Sequence, residues 1–318
     1  MKELAAVFAG ILSIGTAFSA DPYPTRPIRM IVGFAPGGGT DLTARPVAQK
    51  LAELLGQQVI VENRPGAAGN VATEQVAKSA PDGYTLLMGT IAALAINPSL
   101  YGNLRFDPET DLAPVIQVVD ATNVLALHPS VPASSVKELI ALAREKSLLA
   151  GSSGIGATGH LAIELFNLMA GVKLVHVPYK GGGPAMSDLV GGQVNLIFAT
   201  TASSIPHLKS GRIKGIAVTT AKRSALLPDL PTISESGLAG FDANNWYGLV
   251  VPAKTPRAII DQLNAEVTKI LAMPDVKTIL FNQGLDPAPG TPEQFGAYIK
   301  SERAKWAKVI KESGAKPE

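Results

Sequence analysis

Short apolar runs alternate with stretches in which apolar residues recur every three to four positions, and this rhythm persists through most of the chain. Residues 28–34 form a strand-like run that ends in Gly and Pro, and after it Val47, Leu51, Leu54 and Leu55 repeat at helical spacing. Pro46 sits at the expected start of that helix, where it would disturb only the first turn. Residues 58–62, 85–88 and 115–119 read as further strands, and Ser135-Val-Lys-Glu138 is a capping-box sequence that opens a helix to about Lys146. The pattern then restarts: strands are expected at 148–152, 173–177, 194–199 and 213–219, separated by helices near 160–169, 184–190 and 204–210. Such alternation predicts an α/β architecture with parallel sheets.

Beyond a strand at 247–251 the chain becomes mostly helical. Thr255-Pro256 and Thr291-Pro292 each place a capping hydroxyl before a proline suited to the first helical position. Phe295, Ile299, Trp306 and Ile310 form a stripe on the last helix, read as core packing. No long charged or low-complexity linker divides the chain. Two α/β units without a flexible linker imply domains joined by crossing strands, and the cleft between such domains is where small ligands usually bind.

A length of 318 residues is enough for two domains with a large core. Apolar residues at 46% and charged residues at 17% exclude general disorder. The net charge of +2, spread along the chain, carries no footprint for nucleic acid. The absence of cysteine removes disulfides, thiolate metal sites, Cys nucleophiles and a lipid-modified N-terminal cysteine. Residues 4–14 read as the apolar region of a secretory signal, too short for a stable bilayer anchor. Ala17-Phe18-Ser19 supplies small residues around a cleavage point expected after Ser19. The expected product is a soluble exported protein.

The strongest chemical signal is Phe34-Ala-Pro-Gly-Gly-Gly-Thr-Asp41, lying between strand and helix. Its glycines permit close backbone approach, and the helix start offers free N–H groups and a positive dipole end, a combination suited to a carboxylate or phosphate. P-loop spacing is missing, and a tight turn capped by Asp41 is the competing reading. Gly154-Ile-Gly-Ala-Thr-Gly159 matches the dinucleotide fingerprint, yet the strand after its helix lacks the ribose-binding acid and runs into Pro178-Tyr179-Lys180. It reads either as that motif or as a second anion-accepting helix start. His128, His160, His176 and His207 lack metal-ligand spacing. His160 and His176 read as structural rather than catalytic, and Ser152 and Ser153 form no nucleophile elbow. Lys180 reads as an exposed lysine, with steering of an anion as the alternative. No paired carboxylates, metal cluster or activated nucleophile emerges, so neither catalysis nor a cofactor is expected.

Several stretches together resemble the substrate-binding receptors of tripartite tricarboxylate transporters, the Bug family of periplasmic receptors. They include Tyr23-Pro-Thr-Arg-Pro-Ile28, the Phe34–Asp41 loop with Ala44-Arg45, Val61-Glu-Asn-Arg-Pro-Gly-Ala-Ala-Gly69 and Pro81-Asp-Gly-Tyr-Thr85. Ile96-Asn-Pro-Ser-Leu-Tyr101, Val177-Pro-Tyr-Lys-Gly181, Asp188-Leu-Val-Gly-Gly-Gln-Val194, Leu227-Pro-Asp-Leu-Pro-Thr232 and Trp246-Tyr-Gly-Leu-Val-Val-Pro252 continue it. The resemblance implies a two-domain Venus-flytrap fold with two crossing hinge strands. One domain would be residues 20–122 plus 246–318 and the other 123–245. It also implies two loops closing on one ligand carboxylate: Pro36, Gly37, Gly38, Gly39, Thr40 and Asp41 on one side, and Gly154, Gly156, Ala157, Thr158 and His160 on the other.

Three positions depart from the family pattern: Ala157 stands where Ser is common, Ala93-Leu94 where Thr-His is common, and Ala199 where Asp is common. The middle departure is expected to remove a polar group near the cleft and favour a less polar ligand. The function implied is a monomeric periplasmic receptor that captures a small carboxylate and docks on a tripartite-type permease. A sensor receptor feeding a signalling partner and a dinucleotide-dependent oxidoreductase are the alternatives.

Overall fold

The structure is a computed structural model and describes residues 23–317. The expected signal sequence and its cleavage point lie outside those residues. The chain begins with β1 (Ile28–Val32), α1 (Gly39–Leu55), β2 (Val59–Asn63), α2 (Asn70–Ala77), β3 (Thr85–Thr90), α3 (Asn97–Leu100) and β4 (Leu112–Ala121). A second group follows: β5 (Asn123–Leu127), α4 (Val136–Glu145), β6 (Leu149–Ser152), α5 (Thr158–Ala170), β7 (Val175–Pro178), α6 (Gly182–Val190), β8 (Leu196–Thr200), α7 (Thr201–Lys209) and β9 (Lys214–Val218). The chain ends with β10 (Asn245–Pro252), α8 (Arg257–Ala272), α9 (Pro274–Asn282), β11 (Leu285–Pro287) and α10 (Pro292–Ser313).

Two sheets result, one of six strands in the order β11-β4-β10-β3-β1-β2 and one of five in the order β7-β6-β8-β5-β9. The result is a two-lobed α/β fold, one sheet to each lobe, as the resemblance implies. The chain crosses between lobes at Thr122 and again before β10. The two crossings lie side by side: Asn245 pairs with Ala121, and Thr219 bridges them, its N–H on the Asn123 carbonyl (3.0 Å) and its hydroxyl on the Ala243 carbonyl (3.0 Å).

The sheets are mixed rather than parallel. β1, β2 and β3 pair parallel, as do β6, β7 and β8, but β10 runs antiparallel to β3 and β4, and β5 antiparallel to β8 and β9. The physical reason is the crossing itself. A strand arriving from the other lobe enters its new sheet at the cleft end and must run away from the cleft, against strands that point towards it. The carboxyl ends of the parallel strands therefore face the cleft from both sides, the usual place for ligands in open α/β sheets.

Local chemistry explains most boundaries. Ser135 caps α4 by accepting from the Glu138 N–H (3.2 Å), while Glu138 reaches back to the Ser134 N–H (2.7 Å). Thr291 and Gln294 form a reciprocal capping box at α10. At α8 the expectation fails: Pro256 is the cap residue, and the Thr255 hydroxyl instead donates to the Pro252 carbonyl (2.8 Å) to close the preceding turn. Pro46 lies inside α1, because that helix starts back at Gly39. The helix thus begins directly at the glycine loop, which matters for the site.

The stripe on α10 packs as expected. Phe295 and Trp306 are fully buried, Ile310 nearly so and Ile299 partly. Each of the two aromatic side chains contributes roughly 1.5–3 kcal/mol by leaving water. Phe295 meets Trp246 edge-on, with ring centroids 5.4 Å apart. Gly248 makes this possible, since a Cβ there would collide with the Phe295 ring. The last helix is thereby locked onto β10, the strand that returns from the second lobe.

Candidate functional site

The first loop follows β1. Gly37 adopts φ +82°, a left-handed conformation that costs glycine little, and Gly38 is the extended cap residue of α1. Asp41 sits in the first turn of α1, so the capping role considered for it is modified. Its carboxylate reaches back to the Gly37 N–H (3.1 Å) and accepts from Arg45 Nε (2.9 Å), Arg45 Nη2 (2.8 Å) and Asn63 Nδ2 (2.9 Å). Burial pushes this carboxyl upward, but the bonds from Arg45, Asn63 and Gly37 outweigh it and hold the pKa below the ordinary carboxylate value. With Asp41 fixing the loop from behind, the first-turn amides of α1 are left without intrahelical partners.

The second loop follows β6. Gly154 (φ +133°) and Gly156 (φ +82°) make the sharp turn, and α5 starts at Thr158 with Ala157 as its cap residue. The Gly154 N–H donates to Ser152 Oγ (3.1 Å) and the Gly156 N–H to His160 Nδ1 (3.0 Å). That contact makes Nδ1 the acceptor and assigns the ring proton to Nε2, which lies 3.8 Å from Glu164 Oε1. His160 stacks on His176 with centroids 4.2 Å apart, and His176 Nε2 is 2.6 Å from Ser152 Oγ. Burial pushes the His160 pKa down to about 4, and burial together with the neighbouring ring takes His176 to about 3. Both rings are neutral at pH 7 and brace the loop from beneath.

The two helix starts face each other across a cavity of about 50 Å³. Gly38, Gly39 and Thr40 line it from α1, and Ala157, Thr158 and Gly159 from α5. Phe34, Thr90, Ala92, Asn245 and Tyr247 complete the first lobe's wall, and Asn123, Ser153, Gly182, Phe198, Ala199, Thr200 and Ser203 much of the second's. No lining side chain carries a charge. At the floor, the Tyr247 hydroxyl accepts from Asn245 Nδ2 (3.1 Å) and, with Thr200 Oγ1 of the other lobe, crowds Gly39, where a Cβ would lie 2.6 Å and 2.7 Å from the two oxygens. The lobes also touch at the rim, where the Ala35 N–H donates to the Lys180 carbonyl (3.2 Å) and the Tyr101 hydroxyl to the Ile155 carbonyl (2.9 Å). A cavity between opposed helix starts, walled by neutral groups, is suited to hold an anion by backbone N–H groups and dipole ends.

Comparison with known proteins agrees with this geometry. The family model described as the tripartite tricarboxylate transporter family receptor matches residues 43–315. The chain belongs to this receptor family. Its members are periplasmic solute-binding receptors rather than enzymes. BugT of Bordetella pertussis is 39% identical over 313 residues, covering 98% of this chain and 96% of its own. An R. palustris protein solved with adipate is 40% identical with a TM-score of 0.91, covering 93% of this chain and 100% of that one. MatC from Rhodopseudomonas palustris, solved with bound malate, is 31% identical with a TM-score of 0.87, covering 91% and 100%.

Within this receptor frame, the residues marked from sequence divide into two groups. Gly38, Gly39, Thr40, Ala157 and Thr158 line the cavity. The others shape it from outside. Pro36 and Gly37 lie at an outer rim beside Gly183 and His207, and Gly154 borders a separate opening with Tyr179 and Lys180. Gly156 packs on Asn97 and Tyr101 of the opposite lobe, and Asp41 and His160 sit behind their loops. Lys180 is exposed, and its contribution at the rim is its carbonyl.

Thr90, Asn123, Phe198, Thr200, Ser203, Asn245 and Tyr247 escaped the sequence reading. They stand on β3, β5, β8 and β10 or in the first turn of α7, and no glycine-rich motif marks them. The proposed link between Leu94 and a less polar ligand is corrected. Leu94 is buried against Gly89 in a π-type turn spanning Ala92–Ile96, and only Ala92 of that turn reaches the cavity. Ala199 and Ala157 do line it. The fingerprint at Gly154–Gly159 does not make a nucleotide site. Its second glycine, where a pyrophosphate would approach the backbone, packs instead on Asn97, Leu100 and Tyr101 of the opposite lobe, and the Gly156 N–H is taken by His160 Nδ1 (3.0 Å).

Proposed function

We propose that the protein is an exported receptor that closes over one small carboxylate and delivers it to a membrane permease of the tripartite tricarboxylate type. The observation that carries the reading is the meeting of the α1 and α5 starts, one from each lobe, at a single uncharged cavity. Bringing two positive dipole ends together is unfavourable without an anion between them and favourable with one. A carboxylate bound to both loops therefore stabilises the closed form relative to the open one, which is what a closing receptor requires. Driving a closed state from about 1% to 99% occupancy needs about 5.5 kcal/mol of differential binding. Several hydrogen bonds to a charged group, at about 1.5–3 kcal/mol each, are of that size. The bound adipate and malate of the two relatives support the ligand class, and the family's description supports the transporter partner.

A thermal-shift screen tests this directly. Purified protein is heated with a panel of small acids including adipate and malate, with the matching amides, and with NAD and NADP. At ligand near 100 times Kd the stabilisation is about 2.7 kcal/mol. The expected result is a raised melting temperature with at least one acid and none with its amide. A shift with amide and acid alike, or with dinucleotide alone, contradicts the proposal.

A further inference from the structure

Two of the motifs shared with the family, Val61–Gly69 and Ile96–Tyr101, line no part of the cavity, yet both reach the second loop. The first ends in a turn with positive φ at Gly66 (+150°), Ala67 (+45°), Ala68 (+48°) and Gly69 (+92°). Alanine takes the left-handed conformation only at a cost, so two in a row mark a turn whose shape its surroundings impose. The turn places Ala68 in a small apolar cluster with Phe34 and Ala92 of its own lobe and Ala157 of the other. The Ala68 carbonyl accepts from Asn97 Nδ2 (3.4 Å), which also donates to Asn70 Oδ1 (2.7 Å). Asn97 opens α3, and Tyr101 closes it.

Both ends of α3 face the second loop. The Tyr101 hydroxyl donates to the Ile155 carbonyl (2.9 Å), and burial raises its pKa, so the donor keeps its proton. Gly156 sits against Asn97 Oδ1, Leu100 and the Tyr101 ring, so closely that a Cβ there would collide with the Asn97 oxygen. That oxygen is buried and has no hydrogen-bond partner. The next three residues of the loop, Ala157, Thr158 and Gly159, line the cavity.

We infer that Asn97 and Tyr101 form an interlobe latch: they grip the second loop at Ile155–Gly156 when the lobes close, hold it in its ligand-binding shape, and strengthen the binding of every carboxylate by one common factor. They are positioning residues, since neither lines the cavity and both act through the loop. This rests on the carboxylate reading above. The contacts cross the cleft, so they belong to the closed form alone and shift the equilibrium towards it whichever acid is inside. Ligand leaves only after the lobes part, so the latch acts on release more than on capture. One partly buried hydrogen bond of this kind changes affinity about five-fold.

Tyr101→Phe tests the inference, because it keeps the ring against Gly156 and removes only the donor. Malate, adipate and the acid that gives the largest thermal shift are titrated by calorimetry into wild type and variant, each beside its amide, and stopped flow gives the rates. Every acid that binds the wild type should bind Tyr101→Phe about three- to ten-fold more weakly, by a factor common to all of them within about two-fold, with the loss in the dissociation rate. The unfolding midpoint of the ligand-free protein should not change. Tyr101→Ala, which also gives up the packing on Gly156, should lose more, again by one factor. Wild-type affinity in Tyr101→Phe, a loss confined to one acid, or a loss carried by slower association overturns the inference. So does a lowered midpoint of the ligand-free variant, which would give Tyr101 a merely structural role. A carboxylate preference that Tyr101→Phe leaves at wild-type strength defeats the latch alone. Acids that bind the wild type no better than their amides defeat the carboxylate reading, and the inference with it.

Discussion

Gly183→Ala is expected to weaken carboxylate binding about 10- to 100-fold while leaving the unfolding midpoint of the ligand-free protein unchanged or slightly raised. Gly183 lies in the first turn of α6, in the second lobe, and has an ordinary backbone conformation that alanine also adopts. Within its own lobe the added methyl group has helical propensity in its favour, by up to about 1 kcal/mol. Across the cleft it meets backbone: a Cβ at this position would lie 2.6 Å from the Pro36 carbonyl oxygen of the first lobe, and that oxygen cannot rotate aside as a side chain would. Overpacking of this kind costs about 1–3 kcal/mol. Only the closed form carries that cost, so it subtracts from ligand affinity and not from the stability of the open protein. Calorimetric affinity beside thermal unfolding separates the two quantities. Wild-type affinity in the variant would mean that the ligand does not require Pro36 and Gly183 to approach.

The second large effect concerns pH. Unfolding free energy should fall by on the order of 3 kcal/mol between pH 7 and pH 5. The His160 and His176 rings are buried neutral, with pKa values lowered to about 4 and about 3, whereas an unfolded histidine titrates near 6.5. Because the folded values are depressed, the unfolded chain binds more protons throughout this range. Stability is therefore full above about pH 6.5 and is lost as pH falls towards 4 and 3, by up to about 1.4 kcal/mol per pH unit for each ring. Asp120 works the other way. Burial, with Asp286 nearby, raises its pKa to about 6, so its protonation below that value returns about 1 kcal/mol. Urea unfolding of the wild type at several pH values measures the net slope. A His160→Gln, His176→Gln double variant should lose most of it, though it starts lower at pH 7 because the Gly156 N–H loses its acceptor. A wild-type profile flat between pH 7 and 5 would show that the rings titrate normally.

The glycine loops were legible in the sequence because glycine is chosen for backbone reasons that sequence displays. Gly37, Gly154 and Gly156 all take positive φ, and the helix starts they precede stand where the strand-to-helix pattern placed them. The strand rhythm was equally legible, but strand direction was not. Nothing in the composition of β5 or β10 separates a crossing strand from a parallel one, since both are buried along their whole length like β3. The floor of the cavity was hidden for a related reason. Asn123 and Tyr247 are remote in sequence and become neighbours of one cavity only because the two crossings lie side by side. Their significance lies in their surroundings: an unpaired amide at Asn123, and a Tyr247 hydroxyl that meets Thr200 of the other lobe beside Gly39. His160 shows the opposite case. Its position near a helix start drew attention, and the structure gives it the task of holding Gly156 rather than the ligand.

Closure of two lobes on an anion is the central claim, and small-angle X-ray scattering of the purified protein with and without a binding acid tests it most directly. The radius of gyration should fall when the acid is added at saturation, stay constant with the corresponding amide, and fall less in Gly183→Ala. A radius unchanged by an acid that calorimetry shows to be bound would contradict the claim, because the α1 and α5 starts would then hold the ligand without being drawn together by it.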